Sequence, residues 1–163
     1  MCGLNMKLVL TLLLTIPIFV FANETKLSCD VQETKNSCLN SGCTTDTSSG
    51  FAELNVIHDN FEDIHILGIT LRYKTAEWFF TNIPTEENYK LINFRNDDKK
   101  WLIVNEILDE ESNTTWENKI EIDRFTGKLY LKRKMTKDKE KNIYIIGTYM
   151  GDCKKDNEQK QKF

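Results

Sequence analysis

After residue 50 the chain consists mainly of short runs in which apolar and polar residues alternate. Alternation with a period of two is typical of β-strands that bury one face, and breaks rich in Asn and Asp separate the runs. Eight runs predict eight strands, at residues 51–58, 64–73, 76–83, 90–94, 100–108, 116–122, 128–133 and 143–150. This spacing predicts a mainly β fold, an antiparallel meander that forms a barrel or a two-layer sheet.

Two of the predicted strands are apolar on both faces, which indicates that something covers the outer side of the sheet. The run 76–83 carries Trp78 and Phe80 on one face and Phe79 on the other. The sequence Pro84-Thr85-Glu86-Glu87 is typical of a helix start, because early acidic residues interact favourably with the helix dipole. We therefore expect one short helix over about residues 85–91.

The first 22 residues have the pattern of an export signal. Lys7 precedes an uncharged apolar run, residues 8–21, which ends in Val20-Phe21-Ala22. The run is too short to span a membrane as a helix. Val20 and Ala22 are the small residues that signal peptidase favours at positions -3 and -1 before its cleavage site. We predict cleavage after Ala22 and an exported protein, periplasmic or extracellular, with no membrane span in the mature chain.

The mature chain divides by composition into three parts. Residues 23–50 are rich in Ser, Thr, Asn and Cys, which predicts a disulfide-held irregular arm. Residues 51–153 contain the predicted strands and form the β-domain. Residues 154–163 are polar and predict a frayed tail.

Four cysteines follow Ala22, and an even number behind a secretory signal predicts two disulfides, for which three pairings are possible. We favour Cys38 with Cys43, because the four residues between them are turn-like. Cys29 with Cys153 would then tie together the two ends of the mature chain. A zinc site of four thiolates is the alternative, but the paired C-x-x-C spacing is missing.

The charge of the chain argues against a nucleic-acid partner. Lys and Arg number 22 against 25 Asp and Glu, a net charge of -3. The basic stretch from Lys132 to Lys141 has no aromatic residue on which a base could stack, so we expect a solvated hairpin loop there.

The two histidines bracket one turn and are the candidate metal ligands. His58 and His65 would lie nearly opposite each other in a hairpin, with Asp59 and Glu62 close by. Two imidazoles and a carboxylate can hold zinc or copper. Hairpin loops also favour Asp for purely structural reasons, so an ordinary turn is the alternative.

No pattern in the sequence predicts catalysis or a cofactor. The chain lacks Gly-x-Ser-x-Gly, His-Glu-x-x-His and a phosphate-binding glycine loop. Trp78, Phe80 and Trp101 are candidate ligand-binding aromatics at a sheet face or barrel mouth, and packing in the core is their alternative role.

Three segments resemble a group of small exported bacterial proteins of unknown function. The segments are Leu27-Ser28-Cys29, the turn Asp123-Arg124-Phe125-Thr126-Gly127 and Gly151-Asp152-Cys153. The resemblance implies a meander of strands with an early and a late cysteine paired around it, and it implies no activity. The additional pair Cys38 and Cys43 departs from that pattern.

Together these features predict a non-enzymatic binding module that acts as a monomer on an unknown protein or envelope partner. A metal-binding protein using His58 and His65 is one alternative. A structural or inhibitor-like envelope protein without a small-molecule site is the other.

Overall fold

The computed structural model describes residues 23–39, 42–61, 64–84, 87–137 and 143–155. The predicted signal peptide and residues 156–163 of the predicted tail lie outside these ranges. The described chain forms nine strands and no helix: β1 (Asn23–Leu39), β2 (Gly42–Phe61), β3 (Ile64–Tyr73), β4 (Ala76–Thr81), β5 (Tyr89–Asn96), β6 (Lys100–Asp109), β7 (Thr114–Asp123), β8 (Lys128–Lys137) and β9 (Ile143–Lys155). All eight predicted strands are confirmed, and β1 is the ninth.

The nine strands form one antiparallel sheet in the order β4-β3-β2-β1-β9-β8-β7-β6-β5. The first and last strands, β1 and β9, pair in the middle of the sheet. The sheet is not closed into a barrel, because β4 and β5 are its two edges. It folds over into two layers, so that Tyr73 and Trp78 of one layer contact Tyr149 of the other, with ring centroids 5.6 and 5.3 Å apart. The mainly β, two-layer prediction is therefore confirmed.

The alternating pattern places one apolar face of the sheet inside the fold. The buried residues of this inner face form a single cluster: Leu27, Cys29, Val31, Ala52, Leu54, Val56, Leu67, Ile69, Leu71, Tyr73, Phe80, Trp101, Ile103, Ile120, Ile122, Leu129, Leu131 and Tyr149. Complete burial of one aliphatic side chain of this size stabilises the folded state by about 1.5–3 kcal/mol. Burial of this continuous face is therefore what holds the two layers together.

The prediction of an irregular arm over residues 23–50 is wrong. Residues 23–39 form β1 and residues 42–50 form the first half of β2, and the two strands pair without interruption from Asn23 opposite His58 to Leu39 opposite Gly42. Polar composition misled the prediction, because a strand between two neighbours can carry polar residues on one face. The period-two series Leu27, Cys29 and Val31 was the signal that β1 exists.

The short helix predicted over residues 85–91 is also wrong within the described chain. Residues 85 and 86 lie outside the described ranges, and β5 begins at Tyr89. Tyr89 pairs with Ile107 of β6, and its hydroxyl donates a hydrogen bond to the carbonyl oxygen of Thr81. Long-range strand pairing has overridden a local helix signal here.

One asparagine covers the part of β3 that β4 leaves without a neighbour. The Asn82 side chain accepts a hydrogen bond from the Leu67 N–H (2.9 Å) and donates one to the carbonyl of His65 (2.7 Å). This amide replaces the hydrogen bonds that a further strand would make. Asn96, at the end of β5, instead donates to the carbonyls of Asp59 (3.1 Å) and Ile66 (3.0 Å), which are opposite each other in the β2–β3 pair.

The two disulfides have the expected pairing. Cys29 of β1 is bonded to Cys153 of β9, and Cys38 of β1 to Cys43 of β2 at the end of their hairpin. The bonded Cα atoms are 4.0 and 4.1 Å apart, a separation typical of antiparallel partners that do not exchange main-chain hydrogen bonds.

The turn that connects β7 and β8 is built around Asp123 and Gly127. The Asp123 carboxylate accepts hydrogen bonds from the N–H groups of Phe125 (2.9 Å) and Thr126 (2.8 Å). Gly127 has a φ of 70° and lies against Cys153, whose N–H donates to the Gly127 carbonyl (2.8 Å). A Cβ at position 127 would collide with the carbonyl oxygen of Cys153.

Removal of Cys29–Cys153 should destabilise the protein much more than removal of Cys38–Cys43. The bonded residues are 124 positions apart in the first bond and 5 in the second. In the chain-entropy model these loops correspond to about 5 and about 2 kcal/mol. Urea denaturation of the two double Ala variants measures the difference, and equal losses would contradict the prediction.

Replacement of Gly127 by Ala should lower the free energy of unfolding by about 2–4 kcal/mol, because it adds both a strained φ and a steric collision. Gly127→Asn should lower the free energy of unfolding nearly as much, because Asn tolerates the positive φ but its Cβ would still collide with the carbonyl oxygen of Cys153. The neighbouring Phe125→Ala, whose side chain is 75% exposed, should change stability by less than about 0.5 kcal/mol. Thermal denaturation with similar curves for all three variants would rule out this account of the turn.

Candidate functional site

One part of the inner face extends beyond the closed core. β3 ends at Tyr73, opposite Ala52 of β2, so residues 42–51 of β2 continue without β3 beside them. β1 pairs with this part of β2 on its other side, and β9, β8 and β7 follow beyond β1 in that order. We call the inner face of these strands beyond Tyr73 the shelf.

A row of polar side chains crosses the shelf beside the apolar core. The register places six residues next to one another on neighbouring strands: Asp46, Lys35, Gly147, Arg133, Asn118 and Asn105. Lys35 and Asp46 are directly opposite each other and have opposite charges. Arg133 is therefore the cation of the row without a charged neighbour on the adjoining strands.

The guanidinium of Arg133 lies between two tryptophan rings. Its Cζ atom is 5.0 Å from the ring centroid of Trp78 and 5.1 Å from that of Trp116. Trp116 comes from β7, beside β8, whereas Trp78 comes from β4 in the opposite layer. Cation–π attraction to both rings holds the planar group in place.

A chain of hydrogen bonds orients the guanidinium from one side. Arg133 Nε donates to Asn118 Oδ1 (3.0 Å), and Asn118 Nδ2 donates to Asn105 Oδ1 (2.9 Å). Asn105 Nδ2 in turn contacts the hydroxyl of Tyr89 (3.4 Å). Both asparagines are buried, so the orientation of Arg133 depends on side chains that cannot easily turn elsewhere.

The positive charge of Arg133 is not neutralised by any carboxylate in the described part of the chain. None of the described Asp or Glu side chains forms an ion pair with it. Within the same ranges only Nε has a hydrogen-bond acceptor, which leaves Nη1 and Nη2 without one. Burial lowers the pKa of Arg133, although the neighbouring Tyr149 partly opposes this effect.

Another acidic group on the shelf, Glu33, is committed to other partners. It accepts hydrogen bonds from Lys74 Nζ (3.0 Å) and Ser48 Oγ (2.9 Å). Burial alone would raise the pKa of Glu33, but these bonds and one from Tyr149 lower it below its ordinary value. Burial, together with the negative charge of Glu33, raises the pKa of Tyr149 to about 12.

The three aromatic residues predicted to bind a ligand do not come together. Trp78 is half-buried and flanks Arg133. Phe80 and Trp101 are only 3% and 4% exposed and belong to the core. Trp101 contacts other residues: its ring is 5.1 Å from that of His58 and 4.7 Å from the Arg124 guanidinium.

The predicted metal ligands are only partly described. His58 pairs with Leu67 and His65 with Asn60, so the histidines are diagonal neighbours and not directly opposite. Asp59 is buried, and Glu62 lies outside the described residues. No group of three or more His, Cys, Asp or Glu in the described ranges could hold a metal ion. The metal site stays a prediction without support from these residues.

Sequence reasoning missed Arg133 because it treated residues 132–141 as one basic loop. The structure continues β8 to Lys137, and residues 138–142 lie outside the described chain. The signal was nevertheless present, because Arg133 continues the inward series Leu129 and Leu131 at a period of two. An inward-facing arginine is unusual enough to mark a candidate site.

No family model matches this chain, and no curated protein or solved structure is significantly similar to it. In the described residues no helix has the length and apolar character needed to cross a membrane. The arrangement around Arg133 is therefore interpreted from its own chemistry.

Stability should fall as the pH drops below 6.5, the ordinary pKa of histidine, because the fold disfavours protonated His58. Burial and then the positive charge of Arg124 lower its pKa, so the unfolded chain binds the proton more tightly than the folded chain. Urea denaturation at about pH 7 and pH 5 should show a smaller drop for His58→Gln than for wild type. An unchanged drop in His58→Gln would contradict this account.

Proposed function

We propose that the protein is an exported, non-enzymatic binding module that acts as a monomer in the periplasm or outside the cell. We propose further that its ligand presents a carboxylate or phosphate group to Arg133 on the shelf. The two disulfides are compatible with an oxidising compartment, which supports the first part. The leader-like residues 1–22 and the resemblance to small exported proteins support it as well.

The uncompensated and immobilised guanidinium of Arg133 is the observation that carries the second part. A buried charge without a counter-ion is costly, so such groups are normally paired. Here both Nη atoms lack an acceptor among the described residues, while two rings and Asn118 hold the group in place. A planar fork of this kind binds carboxylate and phosphate oxygens through two parallel hydrogen bonds.

The closed interior leaves the shelf as the side from which a ligand would approach. Leu131 and Ile120, in the row beside Arg133 on the core side, are completely buried. On the other side Arg133 is followed by Met135 and Ile145, which are only half-buried. The ligand would therefore place its charge on Arg133 and an apolar part along Met135 and Ile145.

Tryptophan fluorescence should detect the binding directly, because two of the three tryptophans flank Arg133. We expect saturable quenching of the mature chain by benzoate or by inorganic phosphate, and the stronger of the two identifies the anion. Arg133→Gln should weaken this binding by about ten- to hundredfold, the effect of losing a charge-assisted pair of hydrogen bonds.

Two further variants sharpen the experiment. Asn118→Asp would place a carboxylate next to Arg133 and should also abolish binding, although the cation remains. Arg72→Gln is the matched control, because Arg72 is exposed and paired with Glu77 away from the shelf. Equal quenching of wild type and Arg133→Gln, or none in wild type, would reject the anion site and favour a structural envelope protein.

A further inference from the structure

We infer that residues 42–51 of β2 accept an extended segment of another protein as an additional strand of the sheet. This inference goes beyond the anion site and rests on a different feature, the edge of β2 beyond the end of β3. β1 pairs with these ten residues on one side. On the other side, the described chain provides no strand until Tyr73 pairs with Ala52.

The spacing of the cysteines shows which main-chain groups face this open edge. Cys38 and Cys43 are opposite each other with Cα atoms 4.1 Å apart, the short separation of a pair without mutual main-chain hydrogen bonds. Alternate residues of β2 therefore direct their N–H and C=O groups away from β1. These residues are Cys43, Thr45, Thr47, Ser49 and Phe51.

The edge strands β4 and β5 carry protection that residues 42–51 lack. β4 is only six residues long, and β5 has a register shift between Leu91 and Asn93 and carries Lys90 and Arg95. Short length, irregular register and edge cations are the usual devices against strand addition. Residues 42–51 contain no Lys, Arg or Pro, and their register with β1 is unbroken.

The edge is also held in the conformation that an added strand requires. The Cys38–Cys43 bond closes its far end, and Thr45 Oγ1 donates to Asn36 Oδ1 of β1 (2.7 Å). Near β3, Lys74 Nζ donates to Ser48 Oγ (2.7 Å). A strand that is already ordered loses little conformational entropy on binding, which favours association.

The position of the added strand follows from β3. After Tyr73 the chain turns away into β4 through Lys74, whose φ is 53°, so the line of β3 beyond Tyr73 is empty in the described chain. A segment of about ten residues, about 34 Å long, would continue that line. Five of its residues would exchange main-chain hydrogen bonds with the outward-facing residues of β2.

The side chains beside the edge favour a foreign segment over a second copy of this chain. Thr45, Thr47 and Ser49 suit β-branched neighbours, and Phe51, 54% exposed, offers an apolar contact next to β3. Pairing of two copies would bring Ser, Thr and Gly together and bury little apolar area, less than a stable dimer needs. The occupant is therefore a β-branched, extended polypeptide with an apolar residue for Phe51.

Proline substitution at the edge tests this inference without removing a hydrogen bond of the fold. The Thr47 and Ser49 N–H groups face away from β1, so Thr47→Pro with Ser49→Pro removes only edge donors. The probe is a fluorescein-labelled peptide of five alternating Val-Thr pairs with a lysine at each end. We expect wild type to bind it with a Kd below about 1 mM and the double Pro variant about ten- to hundredfold more weakly.

Thr47→Val with Ser49→Val is the matched control, which keeps every main-chain donor and should bind at least as well as wild type. Circular dichroism verifies that both double variants fold. The Arg133→Gln variant should bind the peptide as tightly as wild type does. The experiment therefore distinguishes failure of the anion-site proposal from failure of the strand-addition proposal. Hydrogen exchange offers a second measurement, because the amides of residues 45, 47, 49 and 51 should exchange fast in the free protein and slowly with peptide.

Three results would overturn the inference. The first is absence of saturable binding up to about 1 mM peptide. The second is equal affinity of wild type and the double Pro variant. The third is slow exchange of residues 45, 47, 49 and 51 in the free protein, or their protection through concentration-dependent self-association detected by sedimentation.

Discussion

The pairing of β1 with β9 is the constraint on which the architecture depends. These strands come from opposite ends of the described chain, and they lie in the middle of the sheet. Without this pair the sheet would separate into a four-stranded half and a five-stranded half, each with half of the apolar face exposed. The Cys29–Cys153 bond lies within the pair and fixes its register. Burial of the core thus relies on one junction between distant segments.

The same register places chemistry at the border of the core. The inner face is apolar where both layers are present and polar where only one layer remains, beyond Tyr73. Arg133 lies at this border, between Trp116 of its own layer and Trp78 of the other. The Arg133 guanidinium is accessible to a ligand because β3 and β4 are short. It is held in place because the Trp78 ring of β4 still contacts it. An open shelf and an immobilised cation therefore have a common structural origin.

Sequence periodicity predicted most of the fold because alternation is a local property. The eight strands after residue 50 could be identified in this way. Both disulfides were predicted on other grounds, from the turn-like residues between Cys38 and Cys43 and from the pairing of the two cysteines that remain, Cys29 and Cys153. β1 was missed because its outward side chains are nearly all polar, and because one of its two neighbours, β9, is distant in sequence. The site was harder to predict. Arg133 could be assigned to the inner face from Leu129 and Leu131, but the approach of Trp78 depends on how the sheet folds over.

The central position of β1 and β9 has a consequence for the order of events during biosynthesis. Cys29 is made long before Cys153, and in the interval its only possible partners among the cysteines of the described chain are Cys38 and Cys43. The native β1–β2 hairpin protects against this error, since it brings Cys38 and Cys43 together through a short loop that closes quickly. The Cys38–Cys43 disulfide is expected to have only a small effect on equilibrium stability. By forming early, however, it leaves Cys29 available to pair with Cys153, which is synthesised later.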